Sequence, residues 1–152
     1  MSASQRLDDL GIELPATQAP LGAYAPAKAV GTQVFTSGQL PIEADGEVIT
    51  GRLGADLGVD DGKRAARAAI LRALSAVVSV AGSLDAIREV VRVCVFVNSD
   101  TGFTDQALVA NGASELLIEI FGEEGRHVRS AVGVAVLPAN AAVEVELVVE
   151  AA

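Results

Sequence analysis

The apolar residues Ala66, Ala69, Ile70, Ala73, Leu74, Val77 and Ala81 recur every three or four positions and are followed by Gly82. That spacing predicts an amphipathic helix from about Asp60, an acceptable N-cap, to Ala81, with the glycine as its stop. Lys63, Arg64, Arg67 and Arg72 lie mostly off the apolar stripe and read as the solvated face. The period then changes. EVVRVCVFVN, residues 89–98, is almost continuously apolar and predicts a strand covered on both faces. A second helix is expected over residues 108–121, with Ala113, Leu116, Leu117, Ile120 and Phe121 on one side. Asn111-Gly112 makes a poor helix interior, so this pair is expected to shape the first turn.

Upstream, residues 26–30 and 33–40 read as two extended pieces joined around Gly31. Residues 43–58, rich in Gly and Asp, read as an irregular surface loop. The final stretch predicts two strands split by LPANAA. The element order is therefore β-β-α-β-α-β-β, an α+β fold with two helices on one face of a sheet. Residues 1–20, with Pro15 and Pro20, read as an N-terminal arm before a single domain over residues 21–152.

In the last two strands Val132, Val134 and Val136 alternate onto one face, as do Val143, Val145, Leu147 and Val149. These valines are expected to pack under the helices. The opposite face then receives Arg129, Ala131, Gly133 and Ala135, together with Glu144, Glu146, Val148 and Glu150. Charges beside very small side chains suit either a solvated sheet face or a subunit interface with clefts. A guanidinium is suited to bidentate capture of a carboxylate, and a glutamate can orient or deprotonate a water. Arg129 thus reads either as a strand-rim charge or as a ligand anchor.

Composition narrows the chemistry. The chain has 152 residues, of which 51% are hydrophobic but only 3% aromatic, so its core must be aliphatic. A net charge of −9, with no basic run longer than Lys63-Arg64, argues against a nucleic-acid partner. The first residues lack the order of a signal peptide, and the apolar runs fall far short of the ~20 residues of a membrane helix. Cys94 is the single cysteine, which permits no intrachain disulfide. These features point to a cytoplasmic protein without a membrane partner. One histidine, no nucleophile elbow, no calcium loop and no dinucleotide fingerprint leave no cofactor or metal to expect.

Five stretches occur in one order: VFTSGQLP (34–41), VAGSLD (80–85), VVRVCVFVN (90–98), the Asn111 region and RSAVGVAVLPANAAVEVE (129–146). Over roughly residues 20–149 they resemble the reactive intermediate deaminase family (RidA, also called YjgF). The resemblance implies a chorismate-mutase-like fold with a mixed sheet, in which LPANAA crosses over a central strand. It implies homotrimers with ligand sites between subunits, and cofactor-free hydrolysis of 2-imino or enamino acids to 2-oxo acids and ammonia. Arg129 matches the arginine that grips the substrate carboxylate, and Glu144 the acidic residue that holds the attacking water. Tyr24, Ser37, Gly38 and Asn111 match residues that line the pocket. A non-catalytic module holding a small carboxylate in the same cleft is the alternative; a ribonuclease or translation inhibitor fits the charge less well.

The chain also departs from the family pattern. His127-Val128 replaces the usual Pro-Ala before the arginine, Ala131 replaces a common cysteine, and Ser114 stands where an aromatic often does. GRLGADLG and NGASELL belong to a longer variant, and Arg52 or Asp56 in the inserted loop could reshape the cleft. Arg129 and Glu144 each begin a strand, and a short connection usually reverses direction. They are therefore expected near opposite ends of the sheet, about 15 Å or more apart. One small substrate then touches both only if subunits bring them together.

Overall fold

A computed structural model describes residues 1–17, 19–20 and 22–152. Strands β1 (Ala27–Val30) and β2 (Gln33–Thr36) pair antiparallel, and β5 (Val143–Ala151) adds antiparallel to β2. The long strand β3 (Ile87–Asn98) runs antiparallel beside β5, and β4 (Val128–Val134) closes the far edge parallel to β3. The order is β1-β2-β5-β3-β4, a mixed five-stranded sheet. A parallel neighbour requires a crossover, and α3 (Gln106–Phe121) supplies it between β3 and β4. Helix α2 (Val59–Ala81) makes the other long connection, from β2 to β3.

LPANAA does cross over an intervening strand, because β3 lies between β4 and β5; the central strand of the five is β5 itself. The crossing contains a 3-10 turn, Pro138–Asn140, in which Ala139 and Asn140 take φ of 57° and 55°. Buried Asn98, at the end of β3, holds it: Nδ2 donates to Asn140 Oδ1 and to the Ala141 carbonyl, both at 3.1 Å.

One face of the sheet is covered. Val34, Val93, Val95, Val97, Val143, Val145, Leu147 and Val149 are buried there beneath α2 and α3. The other face carries Phe35, Cys94, Phe96, Glu144, Glu146 and Val148, and among the described residues no helix lies over it. The two-sided cover expected for β3 is therefore one-sided in the single chain. The face expected for β4 is also reversed. Its register pairs Val93 with Arg129, Val95 with Ala131 and Val97 with Gly133, so these three share the helix side. Val128 and Val132 point to the open face and are 62% and 45% exposed. A Cβ at Gly133 would come within 2.8 Å of Gln106 Nε2 and 3.1 Å of Ser99 Oγ, the movable ends of two side chains on that side. Arg129 and the small residues Ala131 and Gly133 thus face the helices, and hydrophobicity does not mark the covered side of this edge strand.

Four further readings change. Asn111-Gly112 lies inside α3, not in its first turn, because α2 passes so close that a Cβ at Gly112 would collide with the Lys63 carbonyl. Arg72 is buried instead of solvated: the chain before α2 lies across that helix, and Arg72 donates to the carbonyls of Ala16, Ile42 and Glu43. The loop after Pro41 is anchored through fully buried Leu53, whose N–H donates to the Asn98 carbonyl at 2.8 Å. Within residues 1–20 the structure forms a short helix, α1 (Ala3–Asp9), started by a capping box between Ser2 and Gln5. Its Leu7 is buried, and Arg6 donates to the Ile120 carbonyl.

Gly112→Ala tests the helix crossing. Helix propensity alone would make alanine more stable by ~1 kcal/mol, whereas overpacking against backbone should cost about 3 kcal/mol. Urea unfolding should show a net loss; a variant as stable as the parent would mean that the helices lie further apart.

Candidate functional site

Arg129, second residue of β4, projects toward α3 at the sheet edge. Its Nη1 donates to Asn111 Oδ1 at 2.8 Å and to Ser114 Oγ at 3.1 Å, and its Nη2 to the Ala107 carbonyl at 3.2 Å. Asn111 and Ser114 are three residues apart on the helix, hence on one face. Ser114 Oγ in turn lies 2.8 Å from His127 Nε2, and His127 Nδ1 lies 2.7 Å from the Gly125 carbonyl. Gly125 closes a 3-10 turn (Gly122–Gly125) that follows α3. Burial pushes the His127 imidazole below its ordinary range, and the Arg129 charge adds to this; the bond to Gly125 opposes both without reversing them. A guanidinium has five N–H donors, and three are engaged. Among the described residues nothing accepts from Nε or from the second Nη2 proton, nitrogens that share one edge of the group and form its side-on fork.

Glu144 belongs to a second cluster. It opens β5 opposite Phe96, on the uncovered sheet face. Its carboxylate lies directly on Gly38: a Cβ at that glycine would come within 2.7 Å of Glu144 Cδ and closer still to Oε2. Backbone pairing of Gln39 with Val145 keeps this segment beside β5. Ser37 Oγ donates to the Ala25 carbonyl at 2.6 Å and its N–H to the Pro26 carbonyl, which ties down the segment bearing Tyr24. Tyr24 itself is 51% exposed. Burial pushes the Glu144 carboxyl above its ordinary range, and repulsion from Glu146 on the same face adds to it.

The six residues singled out from sequence thus fall into two groups. Arg129 and Asn111 meet on the helix side of β4; Glu144, Gly38, Ser37 and the Tyr24 segment lie on the far side of the sheet. The expected separation by opposite sheet ends is not what divides them. Arg129 pairs with Val93 and Glu144 with Phe96, so they lie only roughly 10 Å apart along the strands and two strand spacings across. They differ in face. Ser114 and His127 complete the arginine cluster and were not singled out as site residues; the i, i+3 spacing from Asn111 and the single histidine just before Arg129 are the signals for them. Arg52 is spent in the loop, donating to the Ala135 carbonyl and pairing with Asp100, while Asp56 accepts from the Arg52 N–H. Among the described residues no cluster of His, Cys, Asp and Glu is arranged to hold a metal, and no helix is long and apolar enough to cross a membrane.

Comparison with known proteins agrees with this architecture. The chain is 51% identical over 145 residues to Protein TCP17 of Trypanosoma cruzi, covering 95% of this chain and 91% of that one. It is 30% identical over 139 residues to a 2-iminobutanoate/2-iminopropanoate deaminase of Dermatophagoides farinae, covering 91% and 93%. A crystal structure from Shewanella oneidensis MR-1 superposes with a TM-score of 0.94 at 38% identity, covering 99% of both chains. The family described as "YjgF/chorismate_mutase-like, putative endoribonuclease" matches residues 4–151. The chain belongs to this family.

Proposed function

We propose that the protein is a cofactor-independent hydrolase of reactive 2-imino and enamino acids, releasing 2-oxo acids and ammonia. The observation that carries the reading is the state of Arg129: three donors are fixed by the protein, and one edge is left for a planar anion. A carboxylate gripped there has its imine carbon held close by, so a water can be delivered to one side of it. That carbon is already electrophilic, so positioning and a held water suffice without a nucleophilic side chain. Water adds, the C=N electron pair moves to nitrogen, and the nitrogen takes up a proton. The resulting carbinolamine then expels ammonia as C=O forms. Glu144, with its carboxyl raised above the ordinary range, is suited to accept the water's proton and return it to the leaving nitrogen. The family relative named as a 2-iminobutanoate/2-iminopropanoate deaminase supports the substrate class.

Because Arg129 and Glu144 occupy different sheet faces of one chain, this mechanism requires a second copy. We propose a homotrimer in which the arginine cluster of one chain meets the Glu144 cluster of its neighbour. The uncovered face supports association: Phe35, Val30, Val128 and Val132 are all exposed there in the single chain, an apolar surface that water does not favour.

Generating 2-aminoacrylate with a pyridoxal-phosphate dehydratase and following pyruvate tests the activity. Wild type should accelerate release, and Arg129→Ala should lower kcat/KM about 100-fold or more, as expected for loss of a charge-assisted bidentate contact. No acceleration, with Arg129-dependent carboxylate binding intact, would indicate a non-catalytic carboxylate holder. A stable monomer in light scattering that still hydrolyses imines would contradict the assembly. Glu144 gives a pH prediction. Its folded value lies above the unfolded one of 4.5, so its contribution to stability is full below the unfolded value and is lost as pH rises through the folded one. Urea melts should find Glu144→Gln close to wild type at about pH 4 and more stable than wild type at about pH 8; a less stable variant at the higher pH would refute the burial argument.

A further inference from the structure

The chain contains one histidine, His127, two residues before Arg129. Each proton around it can be assigned from chemistry. The Gly125 carbonyl, 2.7 Å from Nδ1, can only accept, so Nδ1 carries a hydrogen. An imidazolium would set a second cationic donor on the hydroxyl that already accepts from Arg129, and burial and the Arg129 charge both disfavour it; in the neutral ring Nε2 is a bare acceptor. Ser114 Oγ, 2.8 Å away, must therefore donate its hydroxyl hydrogen to Nε2. The same oxygen then offers only lone pairs to Arg129 Nη1, which can only donate, at 3.1 Å. The run Arg129 to Ser114 to His127 to Gly125 has a single consistent direction.

Its far end is closely packed. The turn holding Gly125 presses on α3 so closely that a Cβ there would lie 2.9 Å from the Leu117 carbonyl carbon and nearer to its oxygen. Charges on the surrounding elements leave the run undisturbed. Glu115 of α3 pairs with Lys63 of α2, and Glu123 pairs with Arg126 in the turn. Of the remaining charges, Glu119 on α3, Glu124 in the turn, Arg6 of α1 beside Gly122, Arg92 of β3 and Arg129 on β4, only Arg129 acts on the imidazole.

We infer that Ser114 and His127 are positioning residues: the Ser114–His127–Gly125 run fixes the Arg129 guanidinium so that its Nε–Nη2 edge is held out for a substrate carboxylate. Both residues stand where the chain departs from the family pattern, so the pair supplies in this chain a support for the arginine built from its own side chains. The inference rests on the proposed role of Arg129 as carboxylate anchor. It also sets a polarity requirement: a residue at 127 must accept a hydrogen bond from Ser114, which an imidazolium or a phenyl ring does not do.

Two measurements separate this inference from the reading beneath it. In free protein labelled with 15N-histidine the single histidine needs no assignment. Its shifts should report a neutral ring protonated on Nδ1 at pH 7 and below the ordinary histidine range, and Ser114→Ala should move the Nε2 resonance. An Nε2-protonated or charged ring at pH 7 would overturn the relay whatever the activity. In the imine assay Ser114→Ala and His127→Phe should raise KM about 10-fold, the loss of one hydrogen bond to a charged group, with kcat changed far less. His127→Gln, whose amide oxygen can accept from Ser114, should recover most of the loss. An unchanged KM, or a fall in kcat alone, would contradict the positioning role. Should wild type neither turn over imines nor bind pyruvate, the proposed function fails and with it the positioning role, while the histidine spectrum still decides whether the relay exists.

Discussion

The arginine cluster depends on how closely α3 approaches the backbone around it. Three glycines mark that approach: Gly112 against the Lys63 carbonyl of α2, Gly125 against the Leu117 carbonyl, and Gly133 against Gln106 and Ser99. At Gly112 and Gly125 the missing carbon is one that would meet backbone; at Gly133 it would meet only the movable ends of two side chains. With α3 seated at this depth, Asn111 and Ser114 reach the guanidinium of Arg129 directly. A helix displaced outward by the width of a methyl group would leave the arginine free to swing. The conformational entropy of so long a side chain is about 2 kcal/mol, and here much of it is already removed before any ligand arrives.

The same packing explains why the chain divides its polar residues between two faces. Strand alternation turns Glu144 away from buried Val143 and Val145, and it sits over Gly38 on the open side, where burial disfavours its charged form. The Arg129 guanidinium is cationic and directional; the Glu144 carboxyl is partly desolvated and raised above its ordinary range. In one chain these properties are separated by the thickness of the sheet. In the proposed assembly they meet across a subunit boundary, and the exposed Phe35, Val128 and Val132 are the surfaces that association would remove from water.

The order of elements is legible in the sequence because it rests on periodicity and punctuation: the stripe of α2 ends at Gly82, and β5 alternates cleanly from Val143 to Val149. Helix α1 is announced by Ser2 and Gln5, a signature three residues apart that is easily passed over in a short segment. The facing of β4 is not legible, because it runs against hydrophobicity: Val128 and Val132 point outward and Ala131 and Gly133 toward the helices. Arg72 misleads for a related reason, since nothing local says that a distant segment will lie over it. Arg129, Asn111 and Glu144 are legible through motif resemblance, whereas their division between faces follows only from strand register. Ser114 and His127 look like mere departures until α3 brings them together.

The most direct test of the account is complementation between two impaired variants. Arg129→Ala and Glu144→Gln chains, each inactive alone, are unfolded together and reassembled at equal ratio. If each site takes its arginine from one chain and its glutamate from the next, a mixed trimer contains one intact site. Random assembly should then restore about a quarter of wild-type activity, as cyclic symmetry requires. If one chain supplies both residues, no intact site forms at any ratio. Mixed trimers without recovered turnover would contradict the shared site.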